Sequence, residues 1–496
     1  MTNYRAPGVY VEEISTFPPS VAAVETAIPA FIGFTVRRPE RPLPPGVSAG
    51  DLPEEDRDPH PVKISSLLEF EELFGRGLPQ VVTSVELDAN LQFVRANLEQ
   101  TFFLYDAVQL FYANGGGDCY IVSIGPLLDD SLDIDTPGAA AFNAGITSLI
   151  SWDEPTILLF PDAVSLSGGT HPIYGIQDNA LAHCQTQKDR VTILDLPLDA
   201  TDGADFRNTT GMVGLTYGAA YTPWLEAALV KPFNARVLGA LAAVFDAGGG
   251  PQTLSALLNA EEQTLLNTAV TAVGDEDIAA AEAALFEASS TYRSILRGLN
   301  STLIANPPSG AVAGLYALTD RTRGVWKAPA NVSVNAISGL TNVFTQGELG
   351  NLNIDPVSGK SINAIRFFTG RGNLVYGART LAGNDGEYKY ISVRRLMNML
   401  EESIQKATQQ FVFEPNDANT WTRVKAMIEN FLALLWRDGA LQGAKQEHAF
   451  RVAVGLGQTM SPQDVLDGRM IVEIAVAPVR PAEFIILRFM QHLPIS

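Results

Sequence analysis

TILLF at residues 156–160 and RVTILDLP at 190–197 are two apolar stretches that decide the fold class of this chain. Both have the composition of buried strands, and a stretch with helical character lies between them at about 173–187. Two buried strands joined by a helix predict a parallel βαβ element with a right-handed crossover. The chain is therefore expected to contain an α/β domain.

Further elements are predicted before this βαβ element. AIPAFIGFTV at 27–36 and CYIVSI at 119–124 are apolar stretches that are typical of buried strands. Between them, apolar residues from Leu91 to Tyr112 recur at steps of three and four, which predicts one long helix. The expected fold class is α/β with mixed α+β character.

The last third of the chain is also strongly patterned. Ser392 and Thr420 are the predicted N-caps of two helices, each with one apolar stripe. RMIVEIAVAPV at 469–479 and AEFIILRFM at 482–490 then predict two strands. The chain therefore ends on a strand with little around it to pair with, as it also begins, at VYVEEI, residues 9–14.

The composition is that of a globular chain with excess negative charge. Of the 496 residues, 46% are hydrophobic and 18% are charged, and the formal net charge is −21. This charge argues against a general binder of nucleic acid or of anionic membrane surfaces. No apolar run approaches the ~18 residues of a membrane span, and no secretory signal is expected.

Several motifs resemble catalytic or cofactor sites, but each is better explained as an ordinary structural feature. GVSAG at 46–50 has the letters of a nucleophile elbow but lies among prolines, without the strand and helix that the elbow needs. SGKS at 358–361 lacks the first glycine of a phosphate-binding loop. The five histidines have no metal-ligand spacing, and Cys119 and Cys184 are expected to be free buried thiols. The sequence predicts no enzyme activity, cofactor or metal.

Unpaired terminal strands favour a different kind of function. A strand edge without a partner invites pairing with another chain, and an extended arm can complete a neighbour's sheet. The charge is also unevenly spread along the chain, since the middle, 126–330, is acidic and the segment 360–406 is locally basic. Different faces of the chain are thus expected to meet different surroundings.

A family resemblance supports this interpretation. PGVYVEEI at 7–14 and IPAFIGFT at 28–35 resemble the opening of tail sheath proteins of contractile phages and of phage-like contractile injection systems. NPPSGAVAGLYALTDRTRGVWKAPAN at 306–331 looks like the sheath signature. LNIDPVSGKSINAIRFFTGR at 352–371 and YISVRRLMNMLEESIQKATQQFVFEPN at 390–416 follow in family order.

The resemblance implies a multi-domain sheath fold with a core built from both ends of the chain, an inserted outer α/β domain and extended terminal β arms. The expected segments are an N-terminal arm (1–22), a first core part (23–125) with a surface loop (37–61), an inserted α/β domain (126–330) with a helical segment (236–298), a C-terminal core (331–480) and a C-terminal arm (481–496).

The resemblance also implies a function. A subunit of this family polymerises helically around an inner tube and contracts to drive the tube through a target membrane. Its implied partners are further copies of itself, the inner tube protein, baseplate and terminator or cap proteins and a sheath paralogue, with neither nucleic acid nor direct membrane insertion. Assembly is expected in the cytoplasm, within a phage tail or phage-like particle that lysis releases. A static filament or capsid-like protein, or an α/β enzyme, are the alternatives.

The resemblance assigns two groups of residues. The strands exchanged between subunits are Val9, Tyr10, Val11, Glu12, Glu13 and Ile14 at one end, and Glu483, Phe484, Ile485, Ile486, Leu487, Arg488, Phe489 and Met490 at the other. The basic segment is predicted to face an acidic tube, and the candidate tube contacts are Lys389, Arg394, Arg395 and Lys406.

Overall fold

The structure is a computed structural model that describes residues 21–39, 59–77, 81–99, 102–126, 137–166, 171–200, 202–229, 233–240, 244–246, 251–272 and 275–488. The predicted strand at 9–14, the motif at 46–50, and Phe489 and Met490 lie outside these described residues. The chain divides into two compact units. The larger unit comprises Glu25–Asn398 and Arg480–Ser496, and the smaller unit comprises Met1–Val24 and Met399–Val479.

The strands are β1 (Pro29–Thr35), β2 (Pro61–Ile64), β3 (Val81–Leu87), β4 (Phe93–Glu99), β5 (Cys119–Pro126), β6 (Ile157–Leu159), β7 (Val191–Asp195), β8 (Gly218–Thr222), β9 (Leu225–Ala227), β10 (Val244–Asp246), β11 (Pro251–Gln252), β12 (Ile304–Asn306), β13 (Val332–Ser333), β14 (Gly339–Leu340), β15 (Ile362–Phe368), β16 (Gly372–Val375), β17 (Phe450–Val454) and β18 (Val472–Val476).

The α-helices are α1 (Leu67–Phe74), α2 (Leu104–Ala113), α3 (Pro137–Thr147), α4 (Ile173–Gln187), α5 (Ala204–Thr209), α6 (Ala235–Ala240), α7 (Leu254–Leu257), α8 (Ala260–Thr271), α9 (Asp275–Ala288), α10 (Ser290–Ser301), α11 (Ser309–Arg323), α12 (Gln346–Asn353), α13 (Ile391–Thr408), α14 (Ala418–Arg437), α15 (Gln446–Ala449) and α16 (Pro462–Leu466). None of these described helices is long and apolar enough to cross a membrane.

A mixed sheet forms the centre of the larger unit. Its strand order is β13-β16-β15-β8-β7-β6-β1-β5-β2. The six strands from β15 to β5 are parallel to their neighbours, and antiparallel strands flank them on both sides. The predicted βαβ element is confirmed as β6-α4-β7, because the two strands pair in parallel and both are buried throughout.

Both faces of this sheet are covered, as parallel sheets require. Successive residues of β1 alternate between two hydrophobic clusters: Phe31 packs in one, whereas Ala30 and Ile32 pack in the other. The first cluster contains the apolar faces of α2 and α11, and the second contains those of α3 and α4. The central sheet therefore has one hydrophobic cluster on each of its faces.

A buried carboxylate ties together the elements at the carboxyl ends of β1 and β6. Asp162 accepts hydrogen bonds from the backbone amides of Phe34 at 2.7 Å, Phe103 at 2.5 Å and Leu104 at 2.8 Å. It therefore satisfies two amides at the start of α2 that have no partner within the helix. Gly33 makes the approach possible, since a Cβ there would lie 2.5 Å from the Asp162 Oδ2 atom.

The predicted helix from Leu91 to Tyr112 is wrong in its first half. Residues 93–99 form strand β4, which pairs with β3, and the helix begins only at Leu104. The physical reason is a distant packing partner. The β3–β4 hairpin shares a hydrophobic cluster with α8, α9 and α10, and residues such as Phe93 and Leu98 pack against that cluster.

The predicted inserted domain at 126–330 is also corrected. Its strands β6, β7 and β8 belong to the same central sheet as β1, β5 and β15, so they are not a separate module. The helical segment that was expected at 236–298 is present as α6 to α10, but it packs with the hairpin at 81–99.

The smaller unit contains the C-terminal part of α13, helix α14 and the two-stranded β17–β18 ribbon. Helix α14 buries Val424, Met427, Ile428, Phe431, Leu432 and Leu435, which form the expected stripe. Its N-cap is Asp417, which accepts from the Thr420 amide, so Thr420 is not the cap. Likewise α13 begins at Ile391, which places Ser392 inside the helix. The predicted strand at 469–479 is confirmed as β18, and its partner is β17.

Candidate assembly sites at the roots of the terminal arms

The carboxylate of Glu483 is held by several side chains of the larger unit. Arg379 donates to both oxygens of Glu483, from Nε at 2.9 Å and from Nη2 at 2.7 Å. Asn353 donates to the same carboxylate at 2.6 Å and the Tyr390 hydroxyl donates at 2.9 Å. We call these four residues the Glu483 clamp. Bidentate arginine–carboxylate pairs are among the strongest and most directional hydrogen-bonded contacts in proteins.

The arginine of the Glu483 clamp is itself held in place. Its side chain is 4% exposed, and its Nη1 atom donates to the carbonyls of Asn353 and Gly383. The Arg379 amide donates to Asn363, and residue 379 forms an isolated bridge with Tyr390. The guanidinium is thus preorganised, and the arm carboxylate is the remaining group that completes its hydrogen bonding.

The electrostatics of the Glu483 clamp favour the ionised carboxylate. Burial is the largest single influence on the pKa of Glu483 and would raise it. The hydrogen bonds from Arg379, Asn353 and Tyr390 together outweigh burial, so the pKa of Glu483 is lowered. For Tyr390, burial and the hydrogen bond to this carboxylate both raise the pKa. The clamp is therefore a charged site at neutral pH.

The chain that follows the clamp is exposed and apolar. Phe484, Ile485, Ile486 and Leu487 are 66–80% exposed, and residues 481–488 belong to no strand of the described chain. The prediction that residues 483–490 pair with a neighbouring subunit therefore stays a prediction. A contiguous apolar surface of this kind is typical of an interaction site.

A second clamp includes Thr26, which lies at the start of the larger unit. Arg395 donates through Nη1 and Nη2 to the two oxygens of Asp320, and also through Nη2 to the Thr26 carbonyl at 2.8 Å. The Thr26 hydroxyl donates to Asp320 at 2.6 Å. We call these three residues the Asp320 clamp. The Arg395 and Asp320 side chains are only 3% and 7% exposed, so the pair is buried.

An aromatic pair supports the Asp320 clamp. The Arg395 guanidinium lies over the Tyr316 ring, 4.6 Å from its centroid, and the Tyr316 hydroxyl is 2.7 Å from that of Tyr221. Stacking on an aromatic face is a geometry that arginine, but not lysine, adopts well. Each of the two clamps thus contains a buried arginine.

The four candidate tube contacts fall into two pairs. Arg394 and Arg395 were expected on a polar helix face, but both are 4% exposed. Arg394 lies against Tyr217 and Tyr388, with ring centroids 4.8 Å and 4.4 Å away. The prediction of a surface contact is therefore corrected for these two arginines, because α13 is packed on all sides at this point.

The two lysines of that group remain accessible. Lys406 is 41% exposed and pairs with Glu402 at 2.8 Å, one helical turn earlier. Lys389 is partly exposed and lies 5.2 Å from the centroid of the Tyr390 ring. A tube contact at these two residues stays a prediction.

The dismissed phosphate-loop motif has a structural role. Lys360 is 2% exposed and donates to the backbone carbonyls of Arg207, at 2.8 Å, and of Thr210. Its ammonium group therefore stabilises the chain's own backbone, and burial lowers its pKa. Cys119 and Cys184 are buried and free, and burial raises the pKa of the Cys119 thiol to about 12. No group of three metal-ligating side chains occurs among the described residues.

The sequence analysis did not identify the residues that pair in the two clamps. Asp320 and Arg395 are 75 residues apart, and Arg379 and Glu483 are 104 apart. The one local signal was that Arg379 and Tyr390 lie in the basic segment, and that segment was interpreted as a surface. Three of its arginines, Arg379, Arg394 and Arg395, are buried within the subunit.

The comparisons with known proteins bear on this arrangement. Residues 384–491 match the family described as the phage tail sheath C-terminal domain, a range that includes Tyr390, Arg395 and Glu483. Two solved structures extend the similarity over the chain. The sheath complex of the PVC extracellular contractile injection system, in its contracted state, is 26% identical with a TM-score of 0.59, and the match covers 99% of each chain. The contracted helical sheath of the anti-feeding prophage is 28% identical with a TM-score of 0.59, covering 99% of this chain and 100% of that one.

The chain is a homologue of contractile tail sheath proteins. Curated relatives agree with this assignment. The tail sheath protein of Vibrio phage KVP40 is 30% identical over 184 residues, which are 37% of this chain. The tail sheath protein of Enterobacteria phage T4 is 26% identical over 184 residues. In both cases the matched part of this chain spans only 26% of the length of the phage protein.

Proposed function

We propose that the chain is a structural subunit of a contractile sheath. In this proposal it polymerises helically around an inner tube and contracts to drive the tube through a target membrane. The observation that carries the proposal is the exposed apolar segment 484–487, which follows directly after the Glu483 clamp. A strand that is anchored at its root and unpaired beyond it suits addition to another subunit's sheet.

The smaller unit offers a sheet that could accept such strands. β17 and β18 pair with each other and with no other strand among the described residues. An isolated two-stranded ribbon is marginally stable, and further strands would add backbone hydrogen bonds on both sides. In the proposal, residues 9–14 and 483–490 of neighbouring subunits supply them.

Strand exchange between subunits explains how an assembly could rearrange without its subunits dissociating. A heterologous contact between a donated arm and an acceptor sheet generates an open helical polymer. Main-chain pairing would survive rigid-body rotation of the subunits, and the free-energy difference between two packings would supply the work. The proposal assigns the chain no catalytic step and no cofactor.

The partners follow from the same proposal. They are further copies of the chain, an inner tube protein, baseplate and terminator or cap proteins, and a sheath paralogue. Assembly would take place in the cytoplasm within a phage-like particle, with release by lysis. Lys389 and Lys406 are the proposed tube contacts, and charge reversal at both should weaken loading of the sheath on the tube.

Electron microscopy of three purified chains tests the proposal. The full chain should form long hollow cylinders, whereas chains that lack residues 1–14 or residues 484–496 should remain dispersed. Cylinders from both truncated chains would contradict arm exchange. Cylinders that keep one length and one diameter under every condition that triggers contraction would indicate a static filament.

A further inference from the structure

A groove in the larger unit lies outside the carboxyl ends of three strands of the central sheet. Residues 164–166 follow β6, residues 197–199 follow β7 and Trp224 follows β8, and all of them line the groove. Its volume of about 830 Å³ is within the range of clefts that take drug-sized ligands. Open α/β sheets bind their ligands in the crevice at this end of the strands. We call it the β4–β12 groove, after the strands that form two of its walls.

These two walls are strand edges. Residues 96–99 of β4 and residues 302–305 at the start of β12 line the groove without a gap. Successive side chains of a strand point to opposite faces, so a groove that touches four consecutive residues runs along the edge of the strand. Within the described residues β4 pairs only with β3, and β12 pairs only with β9. Two unpaired strand edges thus border one groove.

The ladder of β9 shows which backbone groups of β12 face the groove. Ala305 lies opposite Glu226 of β9, and the Glu226 carbonyl accepts from the Ser338 amide at 2.8 Å on the β14 side of β9. In an antiparallel ladder, directly opposed residues alternate between pairs that exchange backbone hydrogen bonds and pairs that do not. Ala305 and Glu226 form a pair of the second kind. The amide and carbonyl of Ala305 therefore point away from β9, toward the groove.

The outer edge of β4 is covered near its beginning and open near its end. The Phe93 amide donates to the Ser294 hydroxyl of α10 at 2.9 Å, so this helix covers the edge there. Helix α10 ends at Ser301, and the groove lies between the residues that follow it and the last four residues of β4. An extended segment placed in the groove would meet backbone edges on two sides.

The remaining lining is apolar at the floor and acidic at the rim. Phe103 and Trp224 are buried, and their rings meet edge to face at 5.1 Å. The titratable side chains that line the groove are Glu99, Asp199 and His171. The His171 Nε2 atom lies 3.8 Å from Asp199, whose side chain is 76% exposed. No lysine or arginine is among the described lining residues, so the groove has an excess of negative charge.

We propose that the β4–β12 groove binds an extended segment of a partner protein in which apolar side chains alternate with lysine or arginine. Unpaired strand edges are complemented by another backbone, which adds as a strand between them. Alternation then directs the apolar side chains to the floor at Trp224 and the basic ones to Glu99 and Asp199. The site goes beyond the sheath proposal, because neither terminal arm takes part in it.

Calorimetric titration of the full chain with synthetic hexapeptides tests this site. A peptide in which valine alternates with lysine should bind. The same peptide with glutamate in place of lysine should bind at least about tenfold more weakly, because like charges would meet at the rim. Methylation of alternate peptide nitrogens should also weaken binding at least about tenfold, since it removes the backbone donors that strand addition needs.

Two variants test the two kinds of contact separately. Ala305→Pro removes the amide that faces the groove, at a position on a strand edge where proline is tolerated, and should weaken binding of the valine–lysine peptide at least about fivefold. Glu99→Lys/Asp199→Lys should reverse the preference, so that the valine–glutamate peptide binds more tightly. Glu261→Lys/Glu287→Lys alters exposed acids that do not line the groove and should keep the native preference. Circular dichroism shows that each variant has folded.

Hydrogen exchange locates the bound peptide. Exchange should slow at residues 96–99 and 302–305 when the valine–lysine peptide binds. Absence of binding, equal binding of the methylated peptide, an unchanged preference in Glu99→Lys/Asp199→Lys, or protection confined to β17 and β18 would each overturn the assignment. Tighter binding of a peptide with the sequence FIILRFM would assign the groove to a second copy of this chain instead of a partner. All these results are independent of cylinder formation, which tests the sheath proposal.

Discussion

Replacement of Asp320 by asparagine should strongly destabilise the larger unit. Asp320 accepts hydrogen bonds from both terminal nitrogens of Arg395 and from the Thr26 hydroxyl. Asparagine keeps the size of the side chain but removes its charge. The Arg395 guanidinium, whose side chain is 3% exposed, would then be buried without a counter-charge.

The magnitude follows from the burial of this pair. Removal of one partner of a buried ion pair costs about 3–5 kcal/mol, because the remaining charge stays desolvated. Arg395 keeps its contact with the Tyr316 ring, so we expect the lower end, about 3 kcal/mol. This corresponds to roughly a 150-fold change in the unfolding equilibrium. The exposed pair of Lys63 and Asp118, with side chains 40% and 52% exposed, is worth about 0–1 kcal/mol.

Urea unfolding of unassembled protein measures both effects, with Asp118→Asn as the matched control. The combination Asp320→Leu/Arg395→Met should recover much of the loss, since replacement of both partners removes the uncompensated charge. A loss below about 1 kcal/mol for Asp320→Asn, or one equal to that of the control, would refute the role of the Asp320 clamp.

Three further substitutions test other contacts. Glu483→Gln should lower the stability of the larger unit by about 2 kcal/mol at neutral pH, since it weakens charged hydrogen bonds. The pKa of Glu483 is lower in the folded than in the unfolded chain. The difference in unfolding free energy between the native protein and the variant is therefore fully present above the unfolded pKa of about 4.3, and it is lost as the pH falls through the folded pKa. Unfolding curves measured at several pH values would show this loss. Lys360→Met leaves two buried carbonyls without their donor and should cost about 2–3 kcal/mol, seen as a lower melting temperature. Gly33→Ala places a Cβ 2.5 Å from the Asp162 carboxylate and should cost about 1–3 kcal/mol, measured by the same melt.

Each of these substitutions has a control on the surface. Glu287→Gln and Lys188→Met alter exposed side chains, and a Cβ at Gly117 meets nothing within 4 Å. All three controls should change stability by less than about 0.5 kcal/mol. A pH-independent effect at Glu483, or effects at Lys360 and Gly33 no larger than those of their controls, would contradict the contacts that we describe.

The sequence predicted the elements whose signals are local. Residues 156–160 and 190–197 are rich in apolar side chains, as strands inside a covered sheet are, and the intervening helix has the expected bounds. Resemblance of long blocks in family order then predicted the sheath fold. Both conclusions depend on residues close together in the chain.

The errors arose where distant residues decide the outcome. Leu91, Val94 and Leu98 have helical spacing, but pairing of residues 93–99 with β3 overrides that preference. Arg394 and Arg395 lie off the apolar stripe of α13, and stripe analysis assumes that the opposite helix face meets solvent. Asp320 and the aromatic rings that enclose these arginines come from other elements, so no local pattern could reveal their burial.

The residues that are held at the two ends of the chain give the proposed arms unequal slack. Val21 is buried and the Val24 amide donates to the Ser403 hydroxyl at 3.0 Å, so only residues 15–20 lie between Ile14 and the packed chain, a contour length of at most ~25 Å. Phe484 follows the anchored Glu483 directly, so the C-terminal segment has none. A bound N-terminal strand could stay in place until its own subunit had moved by that length. Under the proposed arm exchange, the C-terminal segment would turn with its subunit as soon as the subunit rotates.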